Sequence, residues 1–313
     1  MGGGSWSSES FADYSCSVGR SYSRATGAVT TNYTHVTQAY KRTSIDPKMD
    51  PCRKENKIRE CMDSSEHPNT IPVILALDVT GSMGDTAMEV SKKLNILITD
   101  IFKNNEDSDV EFMVMGIGDV IYDDYPLQFS QFESDIRIAK NLDDIYFESG
   151  GGGNNSESYT LAWYVGAYRT KCSCWDRSKK GIIITLGDES LNDTLVNIEH
   201  YGEEIPSQKL KTSALYEAVK DKYDLYHIHV KHGYYAGESY ADSCVKSFKK
   251  VIGEQNVFAC EVEDIVKKIT NIIVDRISSE PENPPVDWNA EEKDDDFEEI
   301  EENAGKIPEV GWA

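Results

Sequence analysis

The sequence predicts an α/β domain, with helices on both faces of a doubly wound, mostly parallel central sheet. Three apolar runs of strand length, at 71–77, 110–117 and 181–186, are hydrophobic almost throughout. Such runs are typical of strands that are buried on both faces. Stretches of helical character separate the runs, and strands that alternate with helices indicate a mainly parallel sheet.

The other elements of this domain follow in chain order. Apolar residues recur at helical spacing between Val90 and Ile98, which predicts a helix over 88–102. The elements expected after the second strand are a glycine-rich loop at 150–155, a helix over 157–168, the strand 181–186, a strand over 223–230, a helix over 239–251, a short strand over 256–258 and an amphipathic helix over 262–277.

The two ends of the chain differ in composition from this domain, which we place at 66–278. Residues 1–65 are rich in Ser, Thr and Tyr and predict an irregular N-terminal arm, with helix expected only near 51–62. Prolines and acidic runs dominate 279–313, and this composition predicts a disordered acidic tail. The tail either solubilises the chain or carries a docking motif that includes its two tryptophans.

The formal net charge of −23 is strongly negative, and much of it lies after residue 277. A field of this sign disfavours nucleic acids and anionic membranes as partners and favours cations and basic proteins. No run approaches the roughly 18 apolar residues that span a bilayer. The first residues also lack the basic and apolar regions of a signal peptide. We therefore expect a cytoplasmic protein.

The cysteines support the same expectation. They number seven, an odd count in a chain long enough to bury its own core. Cys172 and Cys174 are the only close pair, and no second pair stands at zinc spacing. We therefore predict that the cysteines are free thiols in a reducing compartment.

Polar residues follow the first buried strand in the string Asp78-Val79-Thr80-Gly81-Ser82. In open α/β sheets ligands bind at the carboxyl ends of the strands, where this string lies. Asp78, Thr80 and Ser82 alternate along an extended stretch, so their oxygens can converge on one point. A carboxylate with two hydroxyls is a hard oxygen donor set that suits Mg²⁺, Mn²⁺ or Ca²⁺. The string also fits a helix N-cap, where Asp, Ser and Thr are favoured.

This string resembles the metal-ion-dependent adhesion site of von Willebrand factor A domains, whose signature is Asp-x-Ser-x-Ser. Thr80 stands for the middle serine and keeps the hydroxyl. The resemblance covers about residues 68–278 and implies the fold predicted above. The string Glu-His-Pro-Asn at 66–69 resembles intracellular bacterial and phage proteins that share the Asp-Val-Thr-Gly-Ser-Met core.

The resemblance extends to the rest of the metal site. Asp188 stands, with a small register shift, where the family has an aspartate after its fourth main strand. The family's threonine from a second loop is missing, and Glu157 falls in its place. The loop before it resembles the Gly-Gly-Gly-Asp-x-Pro-Glu variant of a subset of these domains. Asp119 resembles the acidic residue that this subset has after its second strand.

The resemblance therefore implies a set of metal ligands and a surrounding set of partner contacts. The expected metal ligands are Asp78, Thr80, Ser82, Asp188, Glu157, Asn155 and Asp119. The expected partner contacts are Gly152, Gly153, Asn154, Ser156 and Glu189. No catalytic residue is predicted.

The resemblance also implies a binding role without catalysis. In the family a carboxylate of a protein partner completes the coordination of the cation. We therefore expect Mg²⁺, Mn²⁺ or Ca²⁺ as cofactor and a partner that presents an acidic residue. Intracellular bacterial members work beside MoxR-type AAA+ ATPases, which makes such an ATPase a candidate partner for an adaptor.

Two alternatives stay open. In the first, the chain is a structural or assembly component, encoded by a bacterium or a phage, that forms an oligomer through its N-terminal arm. Alternatively it is a metal-dependent hydrolase, although the sequence shows no nucleophile paired with a base.

Overall fold

The structure, a computed structural model, describes residues 6–18, 21–22, 29–30, 42–104, 109–148, 156–197, 209–233 and 237–278. Its helices are α1 Ser8–Ser17, α2 Gly84–Asn104, α3 Arg137–Asp143, α4 Thr160–Tyr168, α5 Thr212–Val219, α6 Glu238–Ile252 and α7 Ile265–Ser278. Its strands are β1 Ser21–Tyr22, β2 Val29–Thr30, β3 Arg59–Cys61, β4 Ile71–Asp78, β5 Val110–Ile117, β6 Leu127–Phe129, β7 Ser156–Glu157, β8 Thr170–Cys172, β9 Gly181–Gly187, β10 Ser190–Leu191, β11 Thr194–Val196, β12 Lys209–Lys211, β13 Tyr223–Lys231 and β14 Val257–Glu261. The predicted acidic tail lies outside the described residues.

The central sheet has the strand order β14-β13-β9-β4-β5-β6. Its neighbours pair in parallel, except that β6 runs antiparallel to β5 at one edge. The chain places β5 on one side of β4 and later returns to place β9 on the other side. The strand order therefore reverses between β4 and β9, which is the position where open α/β sheets bind ligands.

Helices cover both faces of this sheet, as the sequence predicts. Along β4 the side chains of Val73, Leu75 and Leu77 pack into the cluster formed with α2 and α7. Ile74 and Ala76 point to the opposite face and pack with residues of α4, α5 and α6. Full burial of a leucine contributes about 1.5–3 kcal/mol. The continuous apolar runs exist because each of these strands has two buried faces. The predicted fold class is confirmed.

The first described residues form a helix, so the prediction of an irregular arm is wrong there. Ser7 caps α1 by accepting a hydrogen bond from the Ser10 amide at 3.0 Å. The side chain of Phe11 is fully buried in the same cluster as α2 and α7. Only Phe11, Ala12 and Ser15 of α1 are buried. Because this buried face carries a single large apolar residue, the sequence shows no amphipathic stripe that would predict the helix.

A hydrogen bond fixes α1 to the domain, and its removal has a measurable cost. The Tyr14 hydroxyl donates to Asp143 Oδ2 at 2.7 Å. We expect Tyr14→Phe to lower the free energy of unfolding by about 1 kcal/mol, because it deletes this bond between two distant elements. Denaturant titration followed by circular dichroism measures the change. Ser17→Ala, which loses a hydroxyl that bonds only within α1, is the control, and an equal effect of both variants would contradict this docking contact.

The helix expected near 51–62 is also wrong. Lys54–Asn56 forms a single 3₁₀ turn, and Arg59–Cys61 forms β3. The strand pairs in parallel with β8, and the Arg59 amide donates to the Arg169 carbonyl at 2.8 Å. Pairing with a segment more than a hundred residues away has overridden the helical preference of the local Lys and Glu residues.

No helix among the described residues is long and apolar enough to cross a membrane.

Candidate metal centre

The two main carboxylates of the predicted site lie on neighbouring strands. Asp78 is the last residue of β4, and Asp188 directly follows β9. Because Leu77 is paired with Leu186 in the parallel ladder, both strands end at the same level. The loop after β4 carries the hydroxyls towards the same point before α2 begins at Gly84. The small register shift of Asp188 therefore does not move it away from Asp78.

Four side-chain oxygens form a continuous row between the two strands. Thr80 Oγ1 donates to Asp78 Oδ1 at 2.6 Å and lies 3.0 Å from Ser82 Oγ. Ser82 Oγ in turn donates to Asp188 Oδ1 at 3.0 Å. Adjacent oxygens around an octahedral cation with bonds of about 2.1 Å lie about 3 Å apart. The spacing of the row therefore fits a small divalent cation.

The direction of the hydrogen bonds also suits a cation. Each hydroxyl has one hydrogen, and Thr80 and Ser82 direct theirs to Asp78 and Asp188. The contact between the two hydroxyl oxygens then has no hydrogen in it. Their remaining lone pairs are free to bind a positive ion, as the hard oxygen set predicted from the sequence requires.

Burial makes the electrostatics of the two carboxylates unfavourable without such an ion. Asp78 and Asp188 are both fully buried. Burial and then the charge of Asp188 raise the pKa of Asp78 to about 8, although hydrogen bonds from Thr80 and Tyr159 act in the opposite direction. A bound divalent cation would be the largest charge in the site and would offset the repulsion between the carboxylates. The residues present thus fit the cation that the resemblance implies.

Tyr159 and Gly187 support Asp78 from the side of the sheet that faces α4. The buried Tyr159 hydroxyl donates to Asp78 Oδ2 at 2.6 Å and accepts from the Glu189 amide at 3.2 Å. A Cβ atom on Gly187 would lie 2.0 Å from this hydroxyl oxygen and 2.7 Å from Asp78 Oδ2. Only glycine leaves room for the tyrosine and the carboxylate to meet here. No sequence pattern marks Tyr159 as part of the site.

His232 is a second residue of the site that was not predicted from the sequence. Its Nε2 lies 3.0 Å from Asp188 Oδ2. Asp188 therefore uses one oxygen in the row of hydroxyls and the other toward the histidine. No spacing pattern predicts this contact, since the histidine follows β13 and reaches the site only through the pairing of β13 with β9.

Glu157 and Asp119 lie near the row but outside it. Both side chains are buried, and Glu157 Oε2 and Asp119 Oδ2 have no hydrogen-bond partner among the described residues. Burial, then the charges of Asp78 and Asp119, raise the pKa of Glu157. Asp119 Oδ1 accepts from the Ile121 amide at 2.7 Å and fixes the turn after β5. The two carboxyl groups lie beside the site without joining its hydrogen bonds, and the raised pKa favours the neutral form of Glu157 while no cation is bound.

The remaining predicted residues fall into two groups. Asn155, Gly152, Gly153 and Asn154 lie outside the described residues. Ser156 belongs to β7, which pairs with β10 beside Asp188. Glu189 is buried and accepts a hydrogen bond from the Tyr240 hydroxyl, so its carboxylate lies against that side chain and not toward solvent.

Across the described ranges, no group of three or more His, Cys, Asp and Glu side chains is placed to hold a metal ion. The candidate centre is of a different kind, since Asp78 and Asp188 contribute only two such side chains. The other two oxygens are the hydroxyls of Thr80 and Ser82. A cation held here would depend on these hydroxyls and on water or partner oxygens for its remaining positions.

Comparison with known proteins gives structural likeness only. No family profile matches the chain, and no curated protein matches it. The pilus adhesin SpaC from Lactobacillus rhamnosus GG, in its open conformation, aligns with 12% identity and a TM-score of 0.50 over 69% of this chain and 31% of that one. The vWF domain of the type V pili tip protein Mfa5 from Porphyromonas gingivalis aligns with 10% identity and a TM-score of 0.43 over 69% of this chain and 98% of that one.

A third similar structure is the proximal thread matrix protein 1 from the mussel byssus, with 11% identity and a TM-score of 0.43 over 70% of this chain and 49% of that one. The likeness to the adhesin spans about a third of the adhesin's length, and at such low identity it extends to the fold alone. This chain has a doubly wound α/β fold that is similar to the aligned part of that adhesin.

Proposed function

We propose that this chain is a protein-binding adaptor that holds a divalent cation at the carboxyl edge of its sheet and presents it to a carboxylate of a protein partner. The observation that supports the proposal best is the row of four oxygens from Asp78 to Asp188, at the spacing of adjacent ligands on one cation. The position of the row at the reversal of strand order supports a ligand site rather than a helix cap alone.

The donor set explains why a partner would supply a carboxylate. Mg²⁺ takes six oxygens, and the row offers four at most, so water or a partner fills the other positions. When bound, the cation supplies a positive centre that attracts an Asp or Glu side chain. Asp78 and Asp188 are both buried and hold the ion, while Thr80 and Ser82 leave the centre less negative than further carboxylates would. An acidic partner is then attracted despite the negative charge of the chain.

The same proposal includes Mg²⁺ as the cation, a MoxR-type AAA+ ATPase as the partner and the cytoplasm as the location. The negative charge of −23 supports a protein partner over nucleic acid. The aligned adhesin is a binding protein by its name, which supports a binding role over catalysis.

Self-association through the N-terminal arm receives less support. Phe11 and Trp6 pack into the core of their own domain, and Tyr14 bonds to Asp143. Residues that are already buried in this way are not free to bind a second copy. An oligomer would have to use residues other than these three.

Calorimetry tests the cation site first. Protein freed of metal with EDTA is titrated with Mg²⁺, Mn²⁺ and Ca²⁺, and we expect one site per chain. Ser82→Ala is expected to weaken binding by about 10–100-fold, because it removes the oxygen at the middle of the row. Ser213→Ala, at an exposed position in α5, is the matched control and should bind as the wild type does. A wild type that binds none of the three ions at millimolar concentration would sink the proposal.

An immobilised peptide array tests the partner chemistry. Each acidic peptide is paired with a version in which Asn or Gln replaces Asp or Glu, and binding is measured in Mg²⁺ and in EDTA. We expect binding that needs both the carboxylate and the cation. If cation binding is confirmed but every captured peptide stays bound in EDTA, the cation has a structural role and the adaptor proposal is wrong.

A further inference from the structure

Three cysteines meet at the edge of the sheet opposite the candidate metal centre. Cys61 ends β3, Cys172 ends β8, and Cys174 lies in the 3₁₀ turn that follows. All three are buried. The hydroxyl of Tyr223, the first residue of β13, lies 3.3 Å from Cys172 Sγ. Asp78 and Asp188 lie at the carboxyl ends of their strands, so this cluster is separate from the cation site.

The strand register brings two of the cysteines to the geometry of a disulfide. Cys61 and Cys172 are direct partners in the parallel pairing of β3 and β8. Neighbouring strands lie about 4.8 Å apart, and the Cα atoms of disulfide-bonded cysteines lie about 4.4–6.8 Å apart. Paired residues on adjacent strands point to the same face, and the burial of both side chains shows that this face is the interior.

The surroundings of Cys172 favour its thiolate. Burial raises the pKa of the thiol, but hydrogen bonds from Cys174, Cys61, Tyr223 and Thr170 together outweigh burial and lower it. Cys174 and Cys61 act as donors. Burial and then the contact with Cys172 raise the pKa of Cys61, and the contact with Cys172 and then burial raise the pKa of Cys174. Because the thiolate is the reactive form in exchange, Cys172 is the thiol of this cluster that attacks.

We propose that Cys61 and Cys172 are the site of an intramolecular disulfide, formed by exchange with a low-molecular-weight disulfide such as oxidised glutathione. The Cys172 thiolate attacks one sulfur of glutathione disulfide, which forms a mixed disulfide and releases one glutathione thiolate. The Cys61 thiol then loses its proton and attacks the Cys172 sulfur, which releases the second glutathione. Two protein thiols are oxidised, and one glutathione disulfide is reduced to two glutathione thiols.

The disulfide would staple the N-terminal region to the domain. β3 and β8 form a two-stranded sheet that is separate from the six-stranded sheet. A bond between Cys61 and Cys172 closes a loop of about 110 residues, and long loops give the larger stabilisations. Cys174 would then remain as the third thiol. The reaction requires local opening of the short β3–β8 pair, since both sulfurs are buried.

The test uses the full chain with the two exposed cysteines replaced, as Cys16→Ser/Cys52→Ser. The folded protein is incubated with oxidised glutathione, free thiols are blocked under denaturing conditions, and a tryptic digest is analysed without reduction. Trypsin leaves Cys61 in peptide 60–92 and both Cys172 and Cys174 in peptide 172–177. We expect a cross-link between these two peptides that dithiothreitol removes. Oxidation should raise the thermal midpoint by roughly 5 °C or more.

Two further variants in that background identify the sulfurs. Cys174→Ser should still give the cross-link, and Cys61→Ser should give glutathione on peptide 172–177 without a cross-link. The proposal is overturned if, in the Cys16→Ser/Cys52→Ser protein, peptide 172–177 carries its own internal disulfide and no cross-link forms. Loss of the cross-link in Cys174→Ser would also overturn it. So would a folded protein that does not react with oxidised glutathione although its thiols oxidise after unfolding. Cys244 is buried, accepts a hydrogen bond from the Ser190 hydroxyl and should stay unmodified throughout.

Discussion

Asp78→Asn is expected to bind Mg²⁺ at least about 100-fold more weakly than the wild type, yet to be more stable than the wild type in EDTA. The amide keeps the size of the side chain and an oxygen for Thr80, but it removes a negative charge from the buried row. That charge binds the cation, and without a cation it only repels Asp188. The amide also loses the acceptor for Tyr159, so we expect a net gain of about 2 kcal/mol at pH 8.

The pH dependence of stability predicts the same direction of change for Asp78→Asn in EDTA. Burial and Asp188 raise the pKa of Asp78 from 3.8 to about 8, so the folded protein binds this proton more tightly than the unfolded chain does. The stability that Asp78 contributes in EDTA is therefore fully present below about pH 4 and lost as the pH rises to about 8. The stability of Asp78→Asn relative to the wild type in EDTA should therefore increase as the pH rises from about 4 to about 8.

Asp224→Asn is the matched control for this variant. It makes the same change near the start of β13, at the opposite edge of the sheet, where Asp224 is partly exposed and lies 3.5 Å from Arg276 and 3.6 Å from Lys180. We expect wild-type affinity for Mg²⁺ and a change in unfolding free energy of less than about 1 kcal/mol. An Asp78→Asn protein that binds Mg²⁺ normally would show that the row of oxygens is not the cation site.

The sequence predicted the long elements of the fold because their burial leaves a local pattern. A strand between two layers of helices is apolar at almost every position, as 71–77 and 181–186 are. Along a long covering helix, apolar residues recur every three to four positions. β3, β6 and β8 have three residues each, which is too few for any period to show. Their pairing is set by contacts that are distant in sequence.

The site divides in the same way. Asp78, Thr80 and Ser82 are close in sequence, so their alternation in an extended stretch predicted that their side-chain oxygens converge on one point. Asp188 was found because it also ends a recognisable buried strand. Tyr159 and His232 reach the carboxylates from a helix start and a distant loop, and nothing in their neighbours marks them. Residues that hold a ligand in place from a distant segment become its neighbours only when the chain folds, so a local sequence pattern does not reveal them.

Gly187→Ala tests that support, and we expect it to weaken both cation binding and folding. The new Cβ would lie 2.0 Å from the Tyr159 hydroxyl oxygen and 2.7 Å from Asp78 Oδ2. Tyr159 cannot retreat, because it is fully buried against the rings of His227 and Phe248. The Asp78 carboxylate must therefore shift out of the row. We expect a loss of about 1–3 kcal/mol in unfolding free energy and at least a tenfold loss in Mg²⁺ affinity.

Gly181→Ala separates the effect on the site from the effect on folding. It lies at the other end of β9, where a Cβ would meet Tyr223 Cε1 at 2.5 Å and Pro72 Cγ at 2.7 Å. A similar loss of stability is expected there, with unchanged affinity for Mg²⁺. Adding Tyr159→Phe to Gly187→Ala removes the nearest clashing atom, so the double variant should recover part of the lost stability, with a coupling of about 1 kcal/mol. Strict additivity of the two changes would mean that Gly187 does not act through the tyrosine, and that Asp78 is positioned by some other contact.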